Sequence, residues 1–382
     1  MLDFREIDVL DGQDGEGTLN VLRAWFATFI RTAHDRDLDL LTLWCAHTHL
    51  ARQTYTTPRL LIDSAAPGSG KSTVLAHLDH LCFNPVNAAS LSSSALLARL
   101  LENEPRTVLI DEVDRTLNPK NENINDLLAI LNSGYKRGAT RPVLEPKPGG
   151  GWVTVEMSTF GPVAMAGNSP NLPPDTRSRC ITVLLLPDTE GDAADSDWLD
   201  IEDDADALAV ALAAWAATVR DQVAADRPDV SQHEETEGLR GRDKERWMPL
   251  YKIARAAGGR WPEAARQLIA ADKEDQAADK EAGLLTAPRH VELLQDIHTI
   301  WPAQAQFWPT AELVTRLHTA YAYKWGFSAP QGELTEQMMG RLLARKFNIR
   351  STRRQINGSR ARGYDRAAFS AAWRAFSLPA KE

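Results

Sequence analysis

Cysteine is scarce in this chain: three in 382 residues, at positions 45, 82 and 180, with no CxxC pair. Such spacing offers neither a disulfide framework nor a cysteine-based zinc site. Long apolar runs are missing as well. No stretch approaches the 18 or more residues needed to cross a bilayer, and the opening Met1-Leu-Asp-Phe-Arg-Glu-Ile-Asp8 lacks the apolar heart of a signal peptide. The chain is therefore expected in the cytoplasm, away from membranes. Internal repeats are absent. Positive charge is in deficit, with a formal net charge of −9, which on its face argues against nucleic acid. That average hides an asymmetry. From Arg341 onward there are eleven Lys or Arg against two acids, whereas 188–206 holds ten acids and no base. The split predicts a basic tail module that meets a polyanion, and an acidic stretch read as a solvated linker.

What is present in quantity is apolar residue, at 43%, ample for a sizeable core. The length exceeds one typical domain and suggests a core with one or two smaller modules. Residues 18–52 have helical periodicity and predict two helices. Short apolar runs at 59–63, 107–110, 152–157, 163–166 and 181–186 read as strands, alternating with helices at 74–81 and 125–131, the latter with Gly134 placed to end it. Strand–helix alternation predicts a mainly parallel sheet. Helices are expected at 205–223, 242–257 and 262–271, and again at 310–325 and 333–346. Asn357-Gly358 between two short runs is a hairpin signal. The expected domains are an N-terminal helical segment (1–54), an α/β core (55–187), an acidic linker (188–204), a helical lid (205–300) and a basic winged-helix-like module (301–382).

The strongest motif is Ser64-Ala-Ala-Pro-Gly-Ser-Gly-Lys-Ser-Thr73. It follows a strand and opens a helix, and matches a phosphate loop with Ala65 in place of the first glycine. Gly68 and Gly70 let successive N–H groups face phosphates, and the helix N-terminus adds positive dipole. ATP with Mg²⁺ is expected against Ala66, Pro67, Gly68, Ser69, Gly70, Lys71, Ser72 and Thr73. Lys71 supplies charge to the β- and γ-phosphates, while the Ser72 hydroxyl and the Asp111 carboxylate complete the Mg²⁺ shell. About 40 residues on, Val108-Leu-Ile-Asp-Glu112 ends a strand with that Asp111 and with Glu112, placed to polarise an attacking water. Asn168, closing Val163-Ala-Met-Ala-Gly167, is a candidate to orient the same water. Arg177 and Arg179 are candidates to reach a neighbouring subunit's γ-phosphate, with Arg179 the first choice and Arg177 a further nucleotide contact. Arg242 and Arg246 are candidates for a lid arginine facing the nucleotide.

Several segments resemble an uncharacterised family of phage and mobile-element ATPases, whose members often form the C-terminal half of primase–helicase proteins. They are Leu41-Thr-Leu-Trp-Cys-Ala-His-Thr-His49, Thr57-Pro-Arg-Leu-Leu61, Leu131-Asn-Ser-Gly-Tyr-Lys-Arg-Gly138, Leu172-Pro-Pro-Asp-Thr-Arg-Ser-Arg179, Trp247-Met-Pro-Leu250 and Arg362-Gly-Tyr-Asp-Arg-Ala-Ala-Phe369. Motif order is also similar to superfamily III helicases of the AAA+ class, and Ser-Arg-Cys at 178–180 looks like the finger motif of clamp-loader ATPases. The resemblance implies an AAA+-like P-loop NTPase fold, a homo-oligomeric ring such as a hexamer, and single-stranded DNA in a central pore. It also implies a hairpin that tracks the DNA; Arg141-Pro-Val-Leu-Glu-Pro-Lys-Pro-Gly-Gly-Gly-Trp152 occupies that place, with Lys147 at its tip. A primase would be a separate chain. In the tail, Arg345, Arg353, Arg354, Arg360 and Arg362 are the candidate DNA contacts. A replicative helicase or translocase is the first expectation. An ATP-switched initiator or helicase loader is the second, and a protein-remodelling ATPase the third.

Overall fold

The computed structural model describes residues 14–376, apart from 65, 89–93, 103, 118–123, 283–287 and 357–358. Five short strands form one wholly parallel sheet: β1 (Arg59–Ser64), β2 (Pro85–Asn87), β3 (Thr107–Ile110), β6 (Val163–Asn168) and β7 (Cys180–Leu185), in the order β2-β3-β6-β1-β7. Their unbroken apolar runs are what a sheet covered on both faces needs. Alternate side chains point opposite ways. Leu60, Ile62, Leu109, Ala164 and Ala166 join one buried cluster, whereas Leu61, Val108, Ile110, Val163 and Met165 join another.

The second cluster takes residues from α4 (Ser94–Leu101) and α5 (Asn125–Ser133), which follow α1 (Gly15–Phe29), α2 (Arg36–His49) and α3 (Lys71–Leu81) in the chain. The first cluster takes α1, α2 and α3 together with α6 (Trp198–Ala225), α7 (Gly241–Ala257) and α8 (Trp261–Glu281). Trp25, Trp44, Trp215 and Trp261 all lie in it at no more than 1% exposure. Each buried indole is worth on the order of 4–6 kcal/mol of apolar transfer. The helices read from sequence as a separate lid thus share one core with the amino-terminal helices.

Two residues show how the core is tied. Arg59, 2% exposed, donates to the Leu131 carbonyl at 2.6 Å and to the Gly161 carbonyl at 2.5 Å. Burial pulls its guanidinium down to about 10. Gly134 ends α5 as its placement suggests; it is right-handed there (φ −65°), and a Cβ would sit 1.9 Å from the Thr159 carbonyl oxygen, so glycine is required by close backbone approach.

A separate two-stranded ribbon, β4 (Thr140–Pro146) paired antiparallel with β5 (Trp152–Ser158), carries Lys147 in its exposed turn. Among the described residues, no helix is long and apolar enough to cross a membrane.

The chain divides into two compact units, 1–275 and 276–382. The second unit contains α9 (Arg289–Ile300), β8 (Phe307–Pro309), α10 (Thr310–Ala320), α11 (Glu336–Phe347), β9 (Thr352–Ile356), β10 (Ser359–Asp365) and α12 (Ser370–Ala375). Its three-stranded antiparallel sheet runs β8-β10-β9. Helix, strand, helix, helix and ribbon is a winged-helix topology. Leu293, Leu294 and Ile297 of α9 pack with Trp301, Trp308, Tyr364 and Phe369, so the 289–300 segment belongs here and not with the lid helices. The Asn357-Gly358 turn lies outside the described residues. Charge follows the division: 28 Lys/Arg against 43 Asp/Glu in the first unit, and 15 against 9 in the second.

Candidate nucleotide-binding site

β1 ends at Ser64, and the chain turns through 66–70 into the first turn of α3. Ala65 lies outside the described residues. Gly68 and Gly70 have φ of 78° and 83°, a region that side chains rarely adopt. Ser69 Oγ donates to the Ala66 carbonyl at 2.8 Å and staples the turn. Helix bonding starts at once, from Val74 N to the Gly70 carbonyl (3.0 Å), so the α3 N-terminus faces the loop.

The sheet order then assembles the rest. β6 lies between β1 and β3, so Asn168 at its tip stands between the two motif strands. Lys71 Nζ donates to Ser64 Oγ and to Asn168 Oδ1, both at 2.7 Å. Ser72 Oγ donates to Asp111 Oδ2 at 3.0 Å, and Asp111 Oδ1 accepts from Glu112 N at 2.7 Å. Glu112 holds a left-handed φ of 51°, and its carboxylate pairs with Arg115 at 3.1 Å. Asp63 Oδ1 accepts from Ser169 N (2.8 Å) and Asp114 Oδ1 from Asn168 N (3.2 Å), which fixes the β6 tip from both sides. Lys71, Ser72, Asp111, Glu112 and Asn168, separated by up to 97 positions in sequence, therefore meet at one edge of the sheet. The hydroxyl–carboxylate couple of Ser72 and Asp111 is an oxygen donor set suited to Mg²⁺, which takes one or two protein ligands and completes its shell with phosphates and water. This is the geometry of a P-loop NTPase fold.

A cavity of about 430 Å³ opens beside the loop, lined by Gly68 and Gly70, by Arg31 at the end of α1, and by Asp188 and Trp198. Here the acidic segment differs from the expected solvated linker: it is a strap over the site. Ala33 N, just past α1, bonds the Leu184 carbonyl of β7 where the strap departs, and Ala194 N bonds the Thr28 carbonyl, each at 2.8 Å, so the middle of the strap docks on the α1 terminus. The Asp188 carboxylate accepts from the backbone N–H groups of Ala193, Asp192 and Gly191, which hold it below the usual carboxylate range. Trp198 stacks on His80 of α3 at 3.9 Å. His77, one turn earlier, accepts from Trp25 Nε1 and meets Ser196 Oγ, both at 3.0 Å. Burial, then the neighbouring His80, lowers His77 to about 4. Sequence reading missed Arg31 and Trp198; a lone tryptophan in a run of acids was the available signal.

The two finger candidates part ways. Arg179 is 8% exposed, pairs with Asp175 at 2.6 Å and lies 5.9 Å over the Tyr135 ring. Its Nη1 is engaged inside its own unit by the carboxylate and carbonyl of Asp175. Arg177 is exposed, with one bond to the Pro170 carbonyl at 2.7 Å. The lid candidates do not face the nucleotide loop either. Arg246 is buried between Asp243 (2.7 Å), Asp272 (2.9 Å) and the Cys180 carbonyl (2.8 Å), and Arg242 pairs with Glu245 at 2.7 Å. Lys147 is exposed in the first unit. In the second unit, Arg345, Arg353 and Arg360 are exposed; Arg354 pairs with Asp365 and covers the Phe307 ring at 5.5 Å; Arg362 Nε donates to Ser351 Oγ at 2.7 Å.

Comparison with known proteins gives three further findings. A family described as protein of unknown function (DUF3631) matches residues 197–376. An uncharacterized 28.9 kDa protein from the xis 5′ region of Saccharopolyspora erythraea is 35% identical over 168 residues, which are 44% of this chain and 58% of that protein. The chain thus spans little more than half the length of that relative. Among solved structures, the apo C-terminal region of NrS-1 aligns over 92% of this chain and 74% of its own, at 12% identity and a TM-score of 0.40. The Thermotoga maritima RuvB Holliday junction branch migration motor aligns over 91% and 96%, at 13% identity and a TM-score of 0.27.

Proposed function

We propose that this chain is an ATP-hydrolysing DNA motor, a ring-forming helicase or translocase acting in the replication of a phage or mobile element. One observation carries the reading: Lys71, Ser72, Asp111, Glu112 and Asn168 converge at the edge of strands ordered β3-β6-β1. In this reading the backbone of 66–70 and the α3 N-terminus cradle the phosphates, with Thr73 in the first turn, and Lys71 binds the β- and γ-oxygens. Mg²⁺, when bound at Ser72 and Asp111, neutralises phosphate charge. Glu112 takes a proton from the attacking water and Asn168 orients it, a contribution of roughly 10²–10⁴ in rate. Arg31 and Trp198 wall the base. Arg177, supplied to a neighbouring protomer of a hexamer, is the better-placed finger. DNA passes Lys147 on the ribbon, and Arg345, Arg353, Arg354, Arg360 and Arg362 hold it at the tail.

Purified protein should hydrolyse ATP and separate DNA strands, and Lys71→Ala should abolish both. Hydrolysis without any movement along DNA removes the motor reading. A second reading, an ATP-switched initiator or helicase loader, is favoured by the Glu112–Arg115 pair, which must open before the carboxylate can accept a proton. Glu112→Gln separates the two. A motor stalls outright, whereas a switch still assembles on DNA with ATP and delivers its partner once.

A further inference from the structure

The second unit contains a polar groove of about 660 Å³ between α11 and the β9–β10 ribbon, lined in part by Thr310, Gly340, Ala344, Arg350, Arg362 and Tyr364. Glu336 also lines it, one carboxylate against the two guanidiniums of Arg350 and Arg362. Four features of this groove are independent of one another. Thr310 is 5% exposed and its hydroxyl has no hydrogen-bond partner among the described residues; such a group is expensive to keep and normally satisfied. Thr310 is also the first residue of α10, whose N-cap is Pro309 with no side-chain cap, so free N–H groups and positive dipole end there. Arg362 stands directly opposite Arg353 across the ladder, a like-charge pairing that weakens a sheet unless an anion sits on it. Gly340 and Ala344, one turn apart on α11, leave the floor open to close approach.

We infer that this groove seats one backbone phosphate of DNA, held by the Arg350 and Arg362 guanidiniums and by the Thr310 hydroxyl, which rotates out of its buried position to meet it. Guanidinium donors match phosphate oxygens in pairs, and Ser351 already fixes Arg362 Nε at 2.7 Å. Phosphate contacts of this kind set position and orientation and carry no sequence preference. The inference rests on the DNA-motor reading for its ligand, and names how the tail grips it.

The test uses the full chain and a fluorescent DNA duplex, titrated at several salt concentrations. Arg350→Ala should weaken binding and reduce the slope of log affinity against log salt by about one. Thr310→Val should weaken binding roughly tenfold, the worth of a hydrogen bond to a charged group, without lowering the thermal midpoint. Wild-type affinity and slope in both variants, alongside firm binding by the parent, overturn the groove and leave the motor reading standing. If the parent binds no DNA, the motor reading falls. Inorganic phosphate titrated against the Tyr364 ring resonance then decides: a saturable shift lost in Arg350→Ala retains an anion site, and no shift overturns it.

Discussion

Arg177 and Arg179 are two positions apart, yet their chemistry has diverged. The single turn at 174–177 throws Arg177 outward, while Arg179 enters β7 pressed between Asp175 and Tyr135. Removing Arg179 takes one of three guanidiniums from the Tyr135 ring, whose hydroxyl is already unpartnered among the described residues, and opens a void beside it. We expect Arg179→Ala to lower the stability of the first unit by about 2 kcal/mol, and Arg177→Ala to keep stability while cutting ATP turnover in the assembled protein. Thermal midpoint and steady-state turnover of the two variants decide the matter. Stability kept but turnover lost in Arg179→Ala would return the finger to Arg179. The placement of the phosphate loop, Asp111, Glu112 and Asn168 was legible in sequence, because each sits at a strand end whose apolar run announces it. It had no means of ranking two arginines in one short turn, since burial there depends on Tyr135, 44 positions away.

At the scale of the element, α2 and α3 carry histidines that the fold keeps neutral. Burial lowers His47 to about 3, and His49 and His77 to about 4, from an ordinary value of 6.5. A neutral buried histidine contributes stability above pH 6.5 that is lost as pH falls toward its folded value, because the unfolded chain takes up the proton first. Asp37 acts in the opposite sense. Burial raises it from 3.8 to about 6, so its contribution is full below 3.8 and lost as pH rises through 6. Each group is worth roughly 1.4 kcal/mol per pH unit within its own window, and three histidines outweigh one aspartate. The thermal midpoint of the first unit should therefore drop between pH 7 and pH 5; a flat profile would mean the histidines are solvated. The elements themselves were unevenly legible. β1, β3, β6 and β7 stood out as apolar runs. β4 did not, because Pro142 and Pro146 cannot donate to a ladder and read as turn residues; only pairing with β5 makes it a strand. β2 has three residues and no period to detect. The strap was misread because acidic composition suggests solvation, whereas its place is set by backbone bonds to the α1 terminus and by Trp198.

For the whole molecule, the boundary between the units matters more than their individual charges. The expected division at 300 would have cut α9 away from Trp301 and the tail core. A chain ending at residue 282 keeps α8 intact and removes every winged-helix element from α9 onward. It should retain basal ATP hydrolysis and lose most duplex affinity at low salt, as read by turnover and by fluorescence anisotropy. Undiminished affinity would move the DNA contacts to the first unit, with the Lys147 ribbon as the remaining candidate. The opposed charges of the two units also act before any contact is made. In the DNA-motor reading, the field of a polyanion repels the first unit and attracts the second, so capture favours approach by the second unit. Added salt then slows that capture by weakening the pull at a distance as well as the final grip.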